Sequence, residues 1–180
     1  MCGFFIHYPL NEKNSFNKKK FLKSGNFIFH RGPDDVQRFH SKDINMLFYR
    51  LKIIDLSNNG RQPMLSFSKE NIIVFNGEIY NAKYLKTFIN QKNLKGTSDT
   101  EILLNLYEKI GPSVLEKIEG MFSFVIYNFK KKNCFVARDR FGIKPLYYFM
   151  DKHSLIFSSE IKPILDYKRV NEFNNKTFSD

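Results

Sequence analysis

Two runs in this chain, Ile72-Ile73-Val74-Phe75 and Phe124-Val125-Ile126-Tyr127, are apolar at every position instead of alternating with polar residues. Side chains of a strand point to opposite faces in turn, so a strand without alternation is covered on both faces. The connections along the chain read as mostly antiparallel. Buried faces and antiparallel connections together predict an α+β fold: two stacked sheets with helices outside, a four-layer αββα sandwich. A single mixed α+β sheet is the alternative that pattern alone leaves open.

No repeat, low-complexity stretch or Pro/Ser-rich linker divides the sequence, and 180 residues fit one domain over 1–180 that buries roughly 70% of its unfolded surface. Strands are predicted over 3–8, 45–49, 71–75, 120–127, 133–138, 146–149 and 155–158. A helix is predicted over 15–27, with Phe16, Phe21 and Leu22 at workable spacing. Another is predicted over 81–90, where Tyr84, Leu85, Phe88 and Ile89 share one face. Ser98 followed by Glu101 is a capping-box pattern, and Ile102, Leu103, Leu106 and Ile110 then form one stripe before Gly111-Pro112 ends it. A short helix over 114–118 and one from 160 towards 165 complete the pattern.

Composition narrows the function classes. The chain is 42% hydrophobic with 20 Phe, yet no apolar stretch approaches the ~20 residues of a membrane span. No charged-then-apolar leader opens it, because Lys and Asn crowd in over 14–20, so a cytoplasmic location is expected. Two cysteines are too few for a disulfide framework or a Cys-rich zinc site. Cys134, in a strand-like run, reads as a packing residue. The four His show no ligand spacing, so no metal site is expected. A net charge of +11 raises nucleic-acid binding as a reading, but its sources are dispersed. Lys18-Lys19-Lys20 suits the polar face of a helix and Lys130-Lys131-Lys132 a hairpin tip, so nucleic acid is not the expected partner.

The chemistry-bearing residues stand in a few places. With Met1 removed, Cys2 carries a thiol and a free α-amine on one residue, a nucleophile with its base. His30-Arg31-Gly32-Pro33-Asp34 forms a charged turn, and Asn76-Gly77-Glu78-Ile79-Tyr80-Asn81 ends an apolar strand. Gly96-Thr97-Ser98-Asp99 opens a helix, and Arg50 closes a strand. Each also has a plain structural reading. Asn76-Gly77 is a hairpin-turn dipeptide, Asp99 a favourable acid in a helix's first turn, and Arg50 an exposed surface charge.

Together, and in order, these stretches resemble one family. With them go Arg50-Leu51-Lys52-Ile53-Ile54-Asp55, Gln62-Pro63, Ser98-Asp99-Thr100-Glu101, Gly120-Met121-Phe122, the run from Arg138 to Tyr147, and Ser159-Glu160. The chain resembles the glutaminase domain of class II glutamine amidotransferases, which are N-terminal-nucleophile hydrolases, and it looks most like the asparagine-synthetase branch. The resemblance implies that Cys2 attacks the glutamine carboxamide with its own α-amine as base. It implies an oxyanion hole from the Asn76 side chain and the Gly77 N–H, with Arg50 on the substrate carboxylate. Asp99 and Glu78 would contact the ammonium, and backbone around Ile53 and Ile54 would line the pocket. His30 and Arg31 would hold the loop around Cys2, and residues 138–147 would be structural.

The family's following domain carries a Ser-Gly-Gly-x-Asp-Ser pyrophosphate loop, which does not occur here, and residues 172–179 depart from the Pro-Gly segment expected at that point. The expectation is therefore a glutaminase half without its ATP-dependent synthetase domain, needing no cofactor itself, with ATP and Mg belonging to that other domain. Its expected partners are L-glutamine and an ATP-dependent synthetase domain or subunit; a homo-oligomer stays open. The competing reading is a non-catalytic or partner-activated docking subunit of an amidating complex.

Overall fold

In a computed structural model, which describes residues 1–10 and 16–169, the two apolar runs lie side by side in one sheet. The start of the first predicted helix, at Ser15, and the divergent tail over 172–179 fall outside the described residues. The first sheet is five-stranded, in the order β2 (Asp35–His40), β3 (Asn45–Arg50), β1 (Gly3–Pro9), β9 (Ser154–Ser158), β8 (Tyr147–Met150). The second is four-stranded: β4 (Met64–Leu65), β5 (Asn71–Ile79), β6 (Gly120–Asn128), β7 (Asn133–Arg138). Every pairing between these strands is antiparallel.

Three apolar layers account for the lack of alternation. Phe4, Ile6, Met46 and Phe48 of the first sheet meet Ile72, Val74, Val125 and Tyr127 of the second in the central layer. On the outer face of the first sheet, Phe5, Leu47 and Ile156 pack on Phe21 of α1 (Lys18–Gly25) and on Ile164 and Tyr167 of α4 (Ile161–Lys168). On the outer face of the second, Ile73, Phe75, Phe124 and Ile126 meet Leu85 of α2 (Ala82–Leu85) and Leu103 and Leu106 of α3 (Asp99–Ile110). Even-numbered residues of β1, β3 and β5 thus face the opposite sheet, and odd-numbered ones face helices. The four-layer αββα arrangement holds, and the single-sheet alternative is excluded.

The inner rows turn polar at one end of the sandwich. Cys2 leads into β1 and packs against the central layer, while Arg50 closes β3. Asn76 and Glu78 continue the row of Ile72 and Val74, and Asn76 stands opposite Ser123 of β6. Antiparallel register within each sheet, together with the face-to-face packing of the two sheets, therefore gathers these side chains.

Several elements differ from their sequence signals. The helix expected over 81–90 is only α2, followed by a 3-10 turn over Lys86–Phe88. There the Thr87 hydroxyl donates to the Tyr84 carbonyl at 2.7 Å, a local bond that competes with helix propagation. The helix expected over 114–118 is a 3-10 run over Gly111–Glu116, next to Gly111 at φ 63°. Strands β2 and β4 are additions: β2 is a polar edge strand and β4 has two residues, so neither offers an apolar run to read. The capping box is half realised. Ser98 caps the Glu101 N–H at 3.2 Å, but the Glu101 carboxylate reaches past the cap to the N–H groups of Lys95 and Gly96, at 2.7 and 2.9 Å.

Candidate active site

Where the inner rows turn polar, the sheets part around a cavity of about 200 Å³. All eight predicted site residues line it: Cys2, Arg50, Ile53, Ile54, Asn76, Gly77, Glu78 and Asp99.

Cys2 is held from both sides. Its Sγ accepts from the Leu51 N–H at 3.4 Å and donates to the Leu51 carbonyl at 3.6 Å. Burial pushes the thiol pKa up, against the opposing pull of the Leu51 hydrogen bond and the nearby N-terminal charge. A thiol raised in this way is a poor nucleophile until a base takes its proton. Arg31 donates from Nε to the Cys2 carbonyl at 3.0 Å and from Nη1 to Glu160 at 3.1 Å, and His30 Nε2 lies 2.9 Å from the same carboxylate. His30 and Arg31 therefore anchor the backbone at Cys2 and do not reach its thiol.

Arg50 is 5% exposed, so it is not the surface charge of its plain reading. Its Nη1 donates to the Ser57 carbonyl at 2.8 Å and its Nη2 to the Asp55 carbonyl. Gly60 packs against the same guanidinium: a Cβ there would lie 2.2 Å from Nη2. The loop carrying Ile53 and Ile54 is thus wrapped onto the arginine and pinned by Asp55, whose carboxylate accepts from Ser57 and from the Thr97 N–H at 2.8 Å. Burial opposes ionisation of Asp55, but these hydrogen bonds outweigh it and hold its pKa below the usual range.

Asn76-Gly77 is not a turn; both residues lie inside β5. Asn76 is 1% exposed and its Nδ2 has no partner among the described residues. An unpaired buried amide donor is costly unless something else accepts its hydrogen bond. The hydroxyl of Ser123, opposite it, is likewise buried and unpaired. Gly77 is required by the sheet itself, since a Cβ would lie 2.2 Å from the Met121 carbonyl oxygen and 2.7 Å from the Phe122 Cα.

Asp99 sits at the start of α3, where its carboxylate accepts from the Ile79 N–H at 3.0 Å and the Thr100 N–H at 2.8 Å. Burial nevertheless raises its pKa, with Glu78 adding to the rise. The site therefore favours a cation beside this carboxylate.

Two residues named in the matching stretches were given no role at the site by the sequence. Gln62 lines the cavity and ties the sheet to α3, accepting from the Phe75 N–H at 2.6 Å and donating to the Thr100 hydroxyl at 3.1 Å. Lys144, in the run read as structural, also lines the cavity, and its Nζ lies 3.0 Å from Met1 Sδ. The turn before it is built on Asp139, which accepts from the N–H groups of Phe122, Phe141, Ile143 and Lys144. The density of Gly, Pro and charge in Arg138-Asp139-Arg140-Phe141-Gly142-Ile143-Lys144-Pro145 marks a built turn. Nothing in that composition says which side chain turns inward. Among the described residues, no group of three or more His, Cys, Asp or Glu is placed to hold a metal ion, and no helix is long and apolar enough to cross a membrane.

A family model described as a glutamine amidotransferase domain matches residues 1–179. Asparagine synthetase [glutamine-hydrolyzing] 2 of Bacillus subtilis is 44% identical over 98% of the chain, and putative asparagine synthetase [glutamine-hydrolyzing] 2 of Methanocaldococcus jannaschii is 40% identical over 97%. The chain spans only 24% and 37% of the length of these relatives. Among solved structures, the glutamine phosphoribosylpyrophosphate amidotransferase of B. subtilis, complexed with ADP and GMP, matches 93% of the chain and 44% of its own. Its TM-score is 0.72 at 18% identity, a likeness of fold.

Proposed function

The chain belongs to the glutamine amidotransferase domain family, and on that premise we propose that it hydrolyses L-glutamine to L-glutamate and ammonia through a thioester on Cys2. The observation that carries the proposal is the arrangement around one cavity of a thiol at position two, an unpaired buried amide donor and a paired set of charges.

Once Met1 is removed, the α-amine of Cys2 takes the Sγ proton as Sγ bonds the carboxamide carbon. The oxyanion that forms accepts from Asn76 Nδ2, the donor otherwise without a partner, and from the Gly77 N–H. The C–N bond then breaks, the proton passes from the α-amine to the departing nitrogen, and ammonia leaves. Water cleaves the thioester, its hydroxyl going to carbon and its proton to sulfur, and glutamate is released. Arg50, already oriented by two carbonyls, is set to bind the substrate α-carboxylate with its remaining donors. Asp99 and Glu78 hold the α-ammonium, and the backbone at Ile53 and Ile54 closes the pocket.

The reaction needs no cofactor. The relatives' names, asparagine synthetase [glutamine-hydrolyzing], point to asparagine as the parent product; the consumer of the ammonia would be an ATP-dependent synthetase domain or subunit, which ATP and Mg would serve. The reading fits a cytoplasmic enzyme. Its test is glutamate release by the purified chain with Met1 shown absent by intact mass, beside Cys2→Ala. Release that depends on Cys2 is expected, and equal release from Cys2→Ala would sink the proposal.

A further inference from the structure

Lys144 is a cationic cavity residue for which the reaction above has no task. It is 6% exposed, yet among the described residues no carboxylate lies within ion-pair distance of its ammonium. Among the described residues, its Nζ has one hydrogen-bond partner, Met1 Sδ at 3.0 Å, a weak acceptor. A buried cation without a counter-charge is costly to maintain. The turn that carries it is nevertheless built with care. Asp139 receives four backbone N–H groups, and Arg138 donates to the Lys144 carbonyl at 2.7 Å and the Gly142 carbonyl at 2.6 Å.

We propose that Lys144 is a positioning residue for the base of the reaction: its ammonium keeps the α-amine of Cys2 unprotonated, ready to take the thiol proton. This rests on the glutaminase reading. Met1 Sδ is five bonds from the Cys2 nitrogen and so no more than about 6 Å from it, which puts Nζ within about 9 Å of the amine. A like charge at that range, in a partly buried cleft, disfavours protonation by roughly half a pKa unit. When Met1 leaves, Nζ loses its one contact and is left with the amine and the cavity.

Other charges act at this point as well, of both signs, and Lys144 adds to them. Arg31, from the turn before β2, lies nearer the amine than Lys144 does, with its Nε on the Cys2 carbonyl at 3.0 Å, but its charge is balanced by Glu160. Arg50, from β3, is held by two carbonyls and faces the substrate carboxylate. Asp55 accepts from Ser57 and Thr97, while Glu78 of β5 and Asp99 of α3 await the substrate ammonium. Among the described residues, Lys144 is the cation of this group held by neither a carboxylate nor a carbonyl. The step it assists is the first proton transfer. An amine already protonated cannot accept the Sγ proton, so a lower amine pKa raises the competent fraction of enzyme on the acid side.

The experiment titrates the α-amine directly in the Met1-free chain, by following the rate of acylation of the N-terminus between pH 5 and 9 with mass-spectrometric readout. The wild-type amine is expected below the ordinary α-amino range of about 7.7–8.0. In Lys144→Met it should rise by roughly half a unit, and Lys144→Arg should match wild type. The acidic limb of kcat/KM for glutamine should move with it. An amine in the ordinary range in wild type, or unmoved in a folded Lys144→Met, overturns the proposal. If that variant does not fold, Lys144→Gln is titrated in its place. Absence of glutamine hydrolysis in a wild type whose amine is depressed would instead count against the glutaminase reading, and so the two failures are distinguishable.

Discussion

Each polar residue at the site is both costly and pre-positioned, so its substitution should change one kinetic quantity more than others. Asn76→Ala removes the free buried donor and should lower kcat for glutamine by roughly 100- to 1,000-fold with KM little changed. A KM effect alone would move Asn76 to ground-state binding. Asp99 works the other way. Its pKa is raised by burial, so falling pH protonates it before an ordinary carboxylate and removes the charge that holds the ammonium. KM for glutamine is therefore expected to rise on the acid side, and Asp99→Asn should show a high KM with that pH dependence gone. Most of these residues were legible only together: singly each had a plain structural reading, and the ordered set of motifs that carries the family resemblance gave them their roles. Lys144 was not, because a lysine in a Gly-Pro turn is indistinguishable in sequence from a solvated one. Ser123 was not, because a small hydroxyl inside an apolar strand carries little signal.

The elements with strong periodicity or uninterrupted apolar runs appear where expected, as in α3 and β6, while β5 runs on to Ile79, past its expected end at Phe75. Elements defined by tertiary context do not. The edge strand β2, with its polar alternation, depends on pairing with β3 that no local pattern names, whereas the helix after Leu85 ends at a local Thr87–Tyr84 bond that its apolar stripe hides. Gly77 shows how an element can constrain a site. Its lack of a side chain is demanded by the backbone of β6, so Gly77→Ala should part β5 from β6 and cost about 1–3 kcal/mol by thermal or denaturant unfolding. An unchanged midpoint would mean that the strands yield without cost. In α3, Leu103→Ala opens a hole in the outer core and is expected to cost about 2–5 kcal/mol.

Across the whole molecule, two sheets held apart by one apolar layer and backed by two others make a rigid frame, and the site forms where the middle layer ends. The same layering sets the acid limit of the fold. His7, on the outer face of β1, is 4% exposed, and its pKa is lowered to about 4, by burial first and by Lys168 second. Between about 4 and the unperturbed 6.5 the unfolded chain binds the proton that the folded one refuses, so stability rises with pH through that window and is flat above it. The loss on acidification is on the order of 3 kcal/mol from this residue alone. Unfolding free energies measured from pH 4 to 7 should show it, and His7→Phe should remove most of that slope. A wild-type slope retained in the variant would assign the acid sensitivity elsewhere.

The central claim is that Cys2, freed of Met1, takes the glutamyl group. Acid-quenching the chain during turnover with glutamine and mapping its peptides by mass tests this most directly. The account predicts one glutamyl group on the N-terminal Cys2 peptide and none on chains that keep Met1. Glutamate accumulating while the Cys2 peptide stays unmodified and another residue carries the label would contradict it.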